Sequence, residues 1–211
     1  MNVVKNTSVT KSKPIIAVDI DDVLADFVVA MVNFSNEHFK TNLTTEDYDE
    51  NWAKMWHVSD AEAIARRTMM KNTEMNTTLK PLENAYEVLE KLTTKFEIVA
   101  LTSRPEDIAR ATAGWTEMHF PHLVSRIVHS NFWSQIPGKI SHSANLTKGN
   151  LAQEIGTSFL IDDQPKHANS FAELGGRSLL FGDYGWNRDA EIVDGVTRVA
   201  DWGGVADYFG V

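Results

Sequence analysis

The stretch from Pro14 to Phe27, Pro-Ile-Ile-Ala-Val-Asp-Ile-Asp-Asp-Val-Leu-Ala-Asp-Phe, constrains this chain more than any other. Ile15 to Val18 is a short apolar run rich in β-branched residues, as expected of a strand buried on both faces of a parallel sheet. Asp19, Asp21, Asp22 and Asp26 follow directly. Repulsion and desolvation make four carboxylates at the end of a buried strand costly unless a cation or a proton compensates them. Aspartate is favoured in turns and at helix N-caps, which would explain one or two of them. It does not explain the whole pattern, because Asp19 and Asp21 flank an apolar Ile20 and a second apolar run, Val23 to Ala25, follows at once.

Four more strand patterns follow, a second buried one at Phe96 to Leu101, a short one at Arg126 to His129, and two at Ser158 to Ile161 and Ser178 to Phe181. Helical spacing separates them. Leu82, Ala85, Val88, Leu89 and Leu92 form an amphipathic stripe after Pro81, Ile108 to His119 reads as helix, Thr147 to Ile155 is closed by Gly156, and a further helix ends at Phe171 to Leu174 before Gly175-Gly176. The alternation predicts an α/β fold with a doubly wound, mostly parallel sheet. Between Phe27 and Lys80 helical patterns at Asp26 to Lys40, Asn42 to Trp56 and from Ser59 onward have no strand among them. That length predicts a helical insertion folding as its own small unit. The expected organisation is a disordered polar leader over 1–13, an α/β core domain over 14–26 and 81–211, and a helical cap over 27–80.

Active groups in such sheets gather where strands end at their carboxyl edge. Asp19 and Asp21 follow the first strand, Thr102 and Ser103 the second, Asp162 and Asp163 the fourth. A carboxylate is a competent nucleophile toward phosphorus, a role that suits Asp19. Asp21, two residues on, would protonate the leaving alkoxide and then deprotonate water. Phosphoryl transfer needs charge compensation, and hard Mg2+ is held by carboxylates, carbonyls and water. Asp162 and Asp163, with Asp19 and the backbone carbonyl of Asp21, would supply its ligands. An Asp-Asp pair alone would read as a helix cap; after a buried strand, with a second acidic cluster elsewhere, metal binding is the stronger reading.

Asp19-Ile-Asp21-Asp-Val-Leu resembles motif I of the haloacid dehalogenase (HAD) superfamily, and the extension Ala25-Asp26-Phe27 is similar to its 5'(3')-deoxyribonucleotidase branch. Thr102, in Val-Ala-Leu-Thr-Ser-Arg, matches motif II, whose hydroxyl would hold a phosphate oxygen. Lys148, in Thr-Lys-Gly-Asn-Leu, takes the place of the motif III lysine at the start of the helix leading into the fourth strand, with Lys139 as its competitor. Phe-Leu-Ile-Asp162-Asp163 matches motif IV. The resemblance implies a Rossmann-like HAD core with strand order 5-4-1-2-3 and a C1-type helical cap. The departure is Asp22, where many members carry glycine. Val-Leu-Ala-Asp-Phe, Thr-Ser-Arg, and the late Tyr184-Gly-Trp186-Asn187-Arg188 followed by Arg198 and Trp202 resemble the deoxyribonucleotidase pattern. That likeness implies that Phe27 and the cap aromatics enclose a base; Tyr48, Trp52 and Trp56 read equally well as the cap's own core. Arg104 would reach phosphate or sugar, or sit on a helix-start surface.

The chain of 211 residues has a formal net charge of −9 and no cysteine. The acidic balance argues against general affinity for polynucleotides or anionic membranes, which favour basic patches. Disulfides, thiolate metal sites and a cysteine nucleophile are excluded. Seven histidines show no metal-ligand spacing. Residues 1–13 lack the apolar segment of a secretory signal or anchor, and no later run is long enough to span a membrane, so the expected location is cytoplasmic. The resulting expectation is a Mg2+-dependent phosphomonoester hydrolase working through an aspartyl-phosphate on a small phosphorylated substrate, a nucleoside monophosphate first. A sugar-phosphate phosphatase and a catalytically silent ligand-binding protein are the rival readings. Dehalogenation is disfavoured by Asp21. Oligomeric state, including a homodimer, is left open.

Overall fold

The computed structural model describes residues 12–130 and 147–211. Most of the expected leader and the competing Lys139 therefore lie outside the described residues. Within the leader's last residues, Lys13 donates through Nζ to the Thr93 carbonyl oxygen at 2.6 Å.

Six strands form one sheet: β1 (Ile15–Val18), β2 (Glu97–Thr102), β3 (Arg126–His129), β4 (Thr157–Asp162), β5 (Arg177–Phe181) and β6 (Val196–Val199). Their order is β3-β2-β1-β4-β5-β6 and every pairing is parallel. The expected order 5-4-1-2-3 is the same arrangement read from the opposite edge, with β6 added outside β5. Val-Thr-Arg-Val is short and half exposed, as edge strands are, and its signal was too weak to be read from sequence.

Nine α-helices lie among the described residues: α1 (Phe27–Phe39), α2 (Trp52–Met55), α3 (Asp60–Lys71), α4 (Met75–Thr78), α5 (Ala85–Thr93), α6 (Ala109–His119), α7 (Gly149–Glu154), α8 (Pro165–Glu173) and α9 (Trp202–Phe209). Period-two alternation of the central strands decides which helices cover which face. Ile16 and Val18 of β1, Ile98 and Ala100 of β2, and Ile161 of β4 pack with α5, Trp115 of α6 and Trp202 of α9. Ala17, Leu101 and Leu160, pointing the other way, pack with Ala152 of α7 and Phe171 of α8. Both faces are thus dry, which is why the strands read as continuous apolar runs.

Helices α1 to α4 share a separate apolar cluster of Val28, Met31, Val32, Ala53, Met55, Trp56, Ala63 and Met70. Ser59 caps α3 by accepting from Glu62 N at 3.3 Å. Thr44 and Asp47 form a capping box, but around a three-residue 3-10 turn, Thr45–Asp47, rather than an α-helix.

The turn after β1 shows why position 22, where the family resemblance implies glycine, is backbone-sensitive. Asp22 has φ 57°, a left-handed conformation that glycine adopts freely and Asp or Asn more readily than other residues. Aspartate also adds something glycine cannot. Its Oδ1 accepts from Val28 N at 2.9 Å, satisfying a first-turn amide of α1 that the N-cap residue Asp26 leaves uncapped. Its own N–H donates to Ala25 O at 2.7 Å, and its carbonyl accepts from Tyr184 Oη at 2.8 Å. Burial holds its carboxyl well above the usual carboxylate range, the Val28 amide opposing, with Asp21, Asp26 and Asp19 adding repulsion. Asp22→Ala should therefore cost about 2 kcal/mol, combining a lost cap of about 1 kcal/mol with a left-handed penalty of similar size. Asp22→Asn, keeping acceptor and turn while removing a buried ionisable group, should equal or exceed the parent in urea denaturation. An Asn variant as unstable as the Ala variant would show that the carboxyl group itself, not merely an acceptor, holds the turn.

Candidate active site

The carboxyl ends of β1 and β4 meet because the two strands are neighbours, and Asp19 N continues their ladder by donating to Ile161 O at 2.9 Å. This sets Asp19 beside Asp162 and Asp163, residues far apart in sequence. Oxygen atoms of these three buried carboxylates all lie within 4.8 Å of one another.

Between them stands Lys148, 0% exposed. Its Nζ lies 2.5 Å from Asp19 Oδ2 and 2.9 Å from Asp162 Oδ2. Lys148 immediately precedes α7, and Gly149 is what lets it come so close. A Cβ at Gly149 would lie 2.5 Å from Ser170 Oγ, 2.8 Å from the Ser170 carbonyl carbon and 2.9 Å from Phe171 N, all on α8. Backbone contacts of that kind cannot yield to a side chain. The Lys148 amide also donates to His167 Nδ1 at 3.2 Å, which leaves the imidazole proton on Nε2. Burial, with Lys148 and Lys166 adding to it, holds His167 well below its ordinary range, so the ring is neutral.

The electrostatics are unbalanced. Burial pushes the Asp19 carboxyl up to about 7 despite Lys148, with Asp162 and Asp21 adding to the rise. Asp162 is raised by burial against Lys148, and Asp163 is raised further by burial together with Asp162 and Asp19. Burial works against the Lys148 ammonium, yet Asp162 and Asp19 raise its pKa and keep it charged. One ammonium against three carboxylates leaves two formal negative charges in a dry pocket, so a hard divalent cation fits this donor set in charge and in ligand type.

Asp163 is oriented from outside the sheet. Its Oδ2 accepts from Trp186 Nε1 at 2.7 Å and Gln164 Nε2 at 2.9 Å. Asn187 Nδ2 donates to both Asp163 O and Phe181 O at 2.9 Å. Tyr184 stacks on Trp186 with ring centroids 4.5 Å apart. The loop after β5 thus fastens the second acidic cluster. Sequence reading singled out this segment without finding that role, because an Asn or Trp in a loop carries no signal of the carboxylate it will meet. Arg198 and Trp202 hold the frame: Arg198 Nη1 donates to Asn187 O at 2.9 Å, and Trp202 Nε1 to Val23 O at 2.7 Å.

Asp21 stands apart from the three-carboxylate cluster. Arg104 grips its side chain, Nε reaching Oδ1 and Oδ2 at 3.0 and 3.1 Å and Nη2 reaching Oδ1 at 2.6 Å. Arg104 is buried, so of the readings open to it the helix-start surface one is wrong; it follows the buried end of β2 and turns inward toward this carboxylate. Thr102, the last residue of β2, is buried, with its Oγ1 accepting from Arg104 N at 3.1 Å. Ser103 lies next to it on the wall of a cavity of about 170 Å³. Asp19, Asp21, Asp163 and Arg104 also line that cavity, while Thr102 and Lys148 lie behind it. Phe27, Tyr48 and Trp52 form its aromatic wall, with Phe27 and Trp52 stacked at 6.3 Å and 25°. Trp56 instead sits in the α1 to α4 cluster, its Nε1 donating to Ser35 Oγ at 3.1 Å. Of the aromatics that read ambiguously in sequence, Trp56 belongs to the core, while Tyr48 and Trp52 both line the cavity and pack against that cluster.

A family model described as "5' nucleotidase, deoxy (Pyrimidine), cytosolic type C protein" matches residues 13–210. No curated protein matches the sequence. Among solved structures, a haloacid dehalogenase-like family hydrolase from Streptococcus pneumoniae is similar at TM-score 0.67 and 14% identity, over 93% of this chain and 98% of that one. Protein Tyrosine Kinase A from Mycobacterium tuberculosis is similar at TM-score 0.68 and 16% identity, over 95% and 100%. The HAD-hydrolase YfnB from Bacillus subtilis, solved bound to magnesium, is similar at TM-score 0.57 and 11% identity, over 95% and 100%. These likenesses establish a HAD-like fold.

Removing Lys148 should expose the charge imbalance. Above 3.8 the unfolded Asp19 gives up a proton that the folded carboxyl keeps until about 7, so this group costs the fold stability progressively as pH climbs through that window. Without Lys148 the cost deepens and extends upward. Lys148→Met should lose about 3–5 kcal/mol in metal-free buffer at pH 8 and distinctly less at pH 5. Equal losses at both pH values in urea denaturation would mean that packing, not charge, is what Lys148 supplies.

Proposed function

The chain belongs to the 5' nucleotidase, deoxy (pyrimidine), cytosolic type C family and is a nucleotidase-like phosphatase, and from that premise we propose that it releases phosphate from nucleoside monophosphates through an aspartyl-phosphate. One observation carries the reading: a buried nucleophile candidate, Asp19, held by Lys148 at the floor of a cavity whose wall is aromatic.

In this mechanism an Asp19 carboxylate oxygen attacks phosphorus. The bond from phosphorus to the ester oxygen breaks, its electron pair stays on that oxygen, and the oxygen takes a proton from Asp21. Water then attacks phosphorus, passes a proton to Asp21, and inorganic phosphate leaves with Asp19 restored. Lys148 favours the ionised form of Asp19 against the burial that opposes it, and orients the carboxylate. Ser103 would meet the phosphate oxygens from the cavity wall, Arg104 would border them, and Thr102 would act from behind through the Arg104 amide. Asp19, Asp162, Asp163 and the Asp21 backbone carbonyl would hold Mg2+, which supplies charge compensation to the transferring phosphoryl group. Phe27, Trp52 and Tyr48 would enclose a planar base, an offer of apolar area that a sugar phosphate would leave unused. Among the described residues no helix is long and apolar enough to cross a membrane.

The test is phosphate release from deoxy- and ribonucleoside monophosphates, sugar phosphates and p-nitrophenyl phosphate, with Mg2+ or EDTA. Metal-dependent release favouring nucleotides, falling at least about a thousandfold in Asp19→Asn, is expected. A preference for sugar phosphates would replace the substrate class, and no release from any ester would favour the ligand-binding reading. Mg2+ should also raise the melting temperature of the resting protein more at pH 8 than at pH 6, because the carboxylates raised by burial must give up their protons to bind it. A shift independent of pH would speak against this site.

A further inference from the structure

Arg104 is built to hold one partner. Three contacts of 2.6 to 3.1 Å tie its Nε and Nη2 to the Asp21 carboxylate, the fork geometry that fixes a carboxylate in plane as well as in place. Behind the fork the guanidinium carbon lies 5.8 Å from the centre of the buried Trp115 ring. The backbone on which it stands is pinned on both sides, its N–H to Thr102 Oγ1 at 3.1 Å and its carbonyl to His129 Nδ1 at 2.8 Å. Nη1 is buried with no hydrogen-bond partner among the described residues, so the surroundings tolerate an unpaired donor to keep the other two on Asp21. The side chain of Arg104 is 3% exposed and that of Asp21 26% exposed, so of the pair bordering the cavity the carboxylate is the more open partner.

We propose that Arg104 is a positioning residue for the leaving-group step: it fixes the Asp21 carboxyl toward the ester oxygen, and so determines that esters with poor leaving groups are cleaved. The proposal rests on the phosphatase reading above and assigns Arg104 a role through Asp21 rather than on the substrate. Its consequence is selective. A nucleoside leaves as an alkoxide that needs the Asp21 proton as the bond to phosphorus breaks, whereas p-nitrophenol leaves as a stable phenolate that does not.

The experiment measures kcat and KM for a nucleoside 5'-monophosphate and for p-nitrophenyl phosphate in wild type, Arg104→Met, Arg104→Lys, Asp21→Asn and the Arg104→Met/Asp21→Asn double variant, with melting temperatures alongside. Arg104→Met should lower kcat/KM, which covers only the steps up to departure of the leaving group and not the water attack both esters share, about 30-fold or more on the nucleotide and less than about threefold on p-nitrophenyl phosphate, the pattern of a lost acid. Arg104→Lys, keeping a cation without the fork, should fall between. The double variant should be no slower than Asp21→Asn, since removing the support of an absent group costs nothing further. Equal losses of kcat/KM on both esters, or additive losses in the double variant, would overturn the proposal in favour of a structural role. A rise in nucleotide KM at unchanged kcat would overturn it in favour of direct substrate contact. Wild-type activity itself reports on the phosphatase reading, and its absence on every ester would remove both.

Discussion

The ammonium of Lys148, buried between Asp19 and Asp162, is the interaction on which the rest of this structure depends. Three carboxylates at the end of a dry sheet would not stay ionised together, and a single cation placed between two of them changes which can. That placement is a backbone achievement. Gly149 lets α7 touch the α8 backbone where any side chain would collide, and His167 of α8 receives the Lys148 amide. Asp163, the third carboxylate of the group and without an ion pair to Lys148, leaves a donor set that a further cation would complete.

The sheet brings the parts together and the loops aim them. Neighbouring parallel strands bring Asp19 and Asp162 to the same edge whatever follows them. Orientation comes from residues with no chemistry of their own: Trp186 and Gln164 on Asp163, Asn187 across two carbonyls, Tyr184 on Asp22. These donors are neutral, so they hold the carboxylates without cancelling the charge that a cation would need.

What could be read from the sequence follows from which signals are local. Buried parallel strands announce themselves because both faces are apolar, and β1, β2, β4 and β5 were legible for that reason; the exposed edge strand β6 was not. The acidic clusters were legible because carboxylates after such strands are expensive. Side-chain direction was not. Nothing in Thr-Ser-Arg says that Thr102 turns its hydroxyl to a backbone amide, that Ser103 faces the cavity, or that Arg104 reaches back to Asp21, eighty-three residues earlier in the chain. Asp22 was visible as a departure from glycine, but its left-handed backbone and its capping of α1 needed coordinates.

That cap also bears on how recognition and chemistry are joined. Phe27 packs both against the sheet core and against the α1 to α4 cluster, and it lines the cavity with Trp52. It opens α1 eight residues after Asp19, and the intervening turn is locked by Asp22 to Val28 N and by Asp26 N to Lys80 O at 2.9 Å. The aromatic wall is therefore attached to the strand that carries Asp19, the candidate nucleophile, by a short segment most of whose amides are hydrogen-bonded. A ligand that pushes on Phe27 bears on the turn carrying Asp21 and Asp22, and through Tyr184 on the loop that orients Asp163. In the proposed reaction, fit at the wall and geometry at the carboxylates would be joined through this segment, so that binding energy at a distant ring could be used to align the reacting groups.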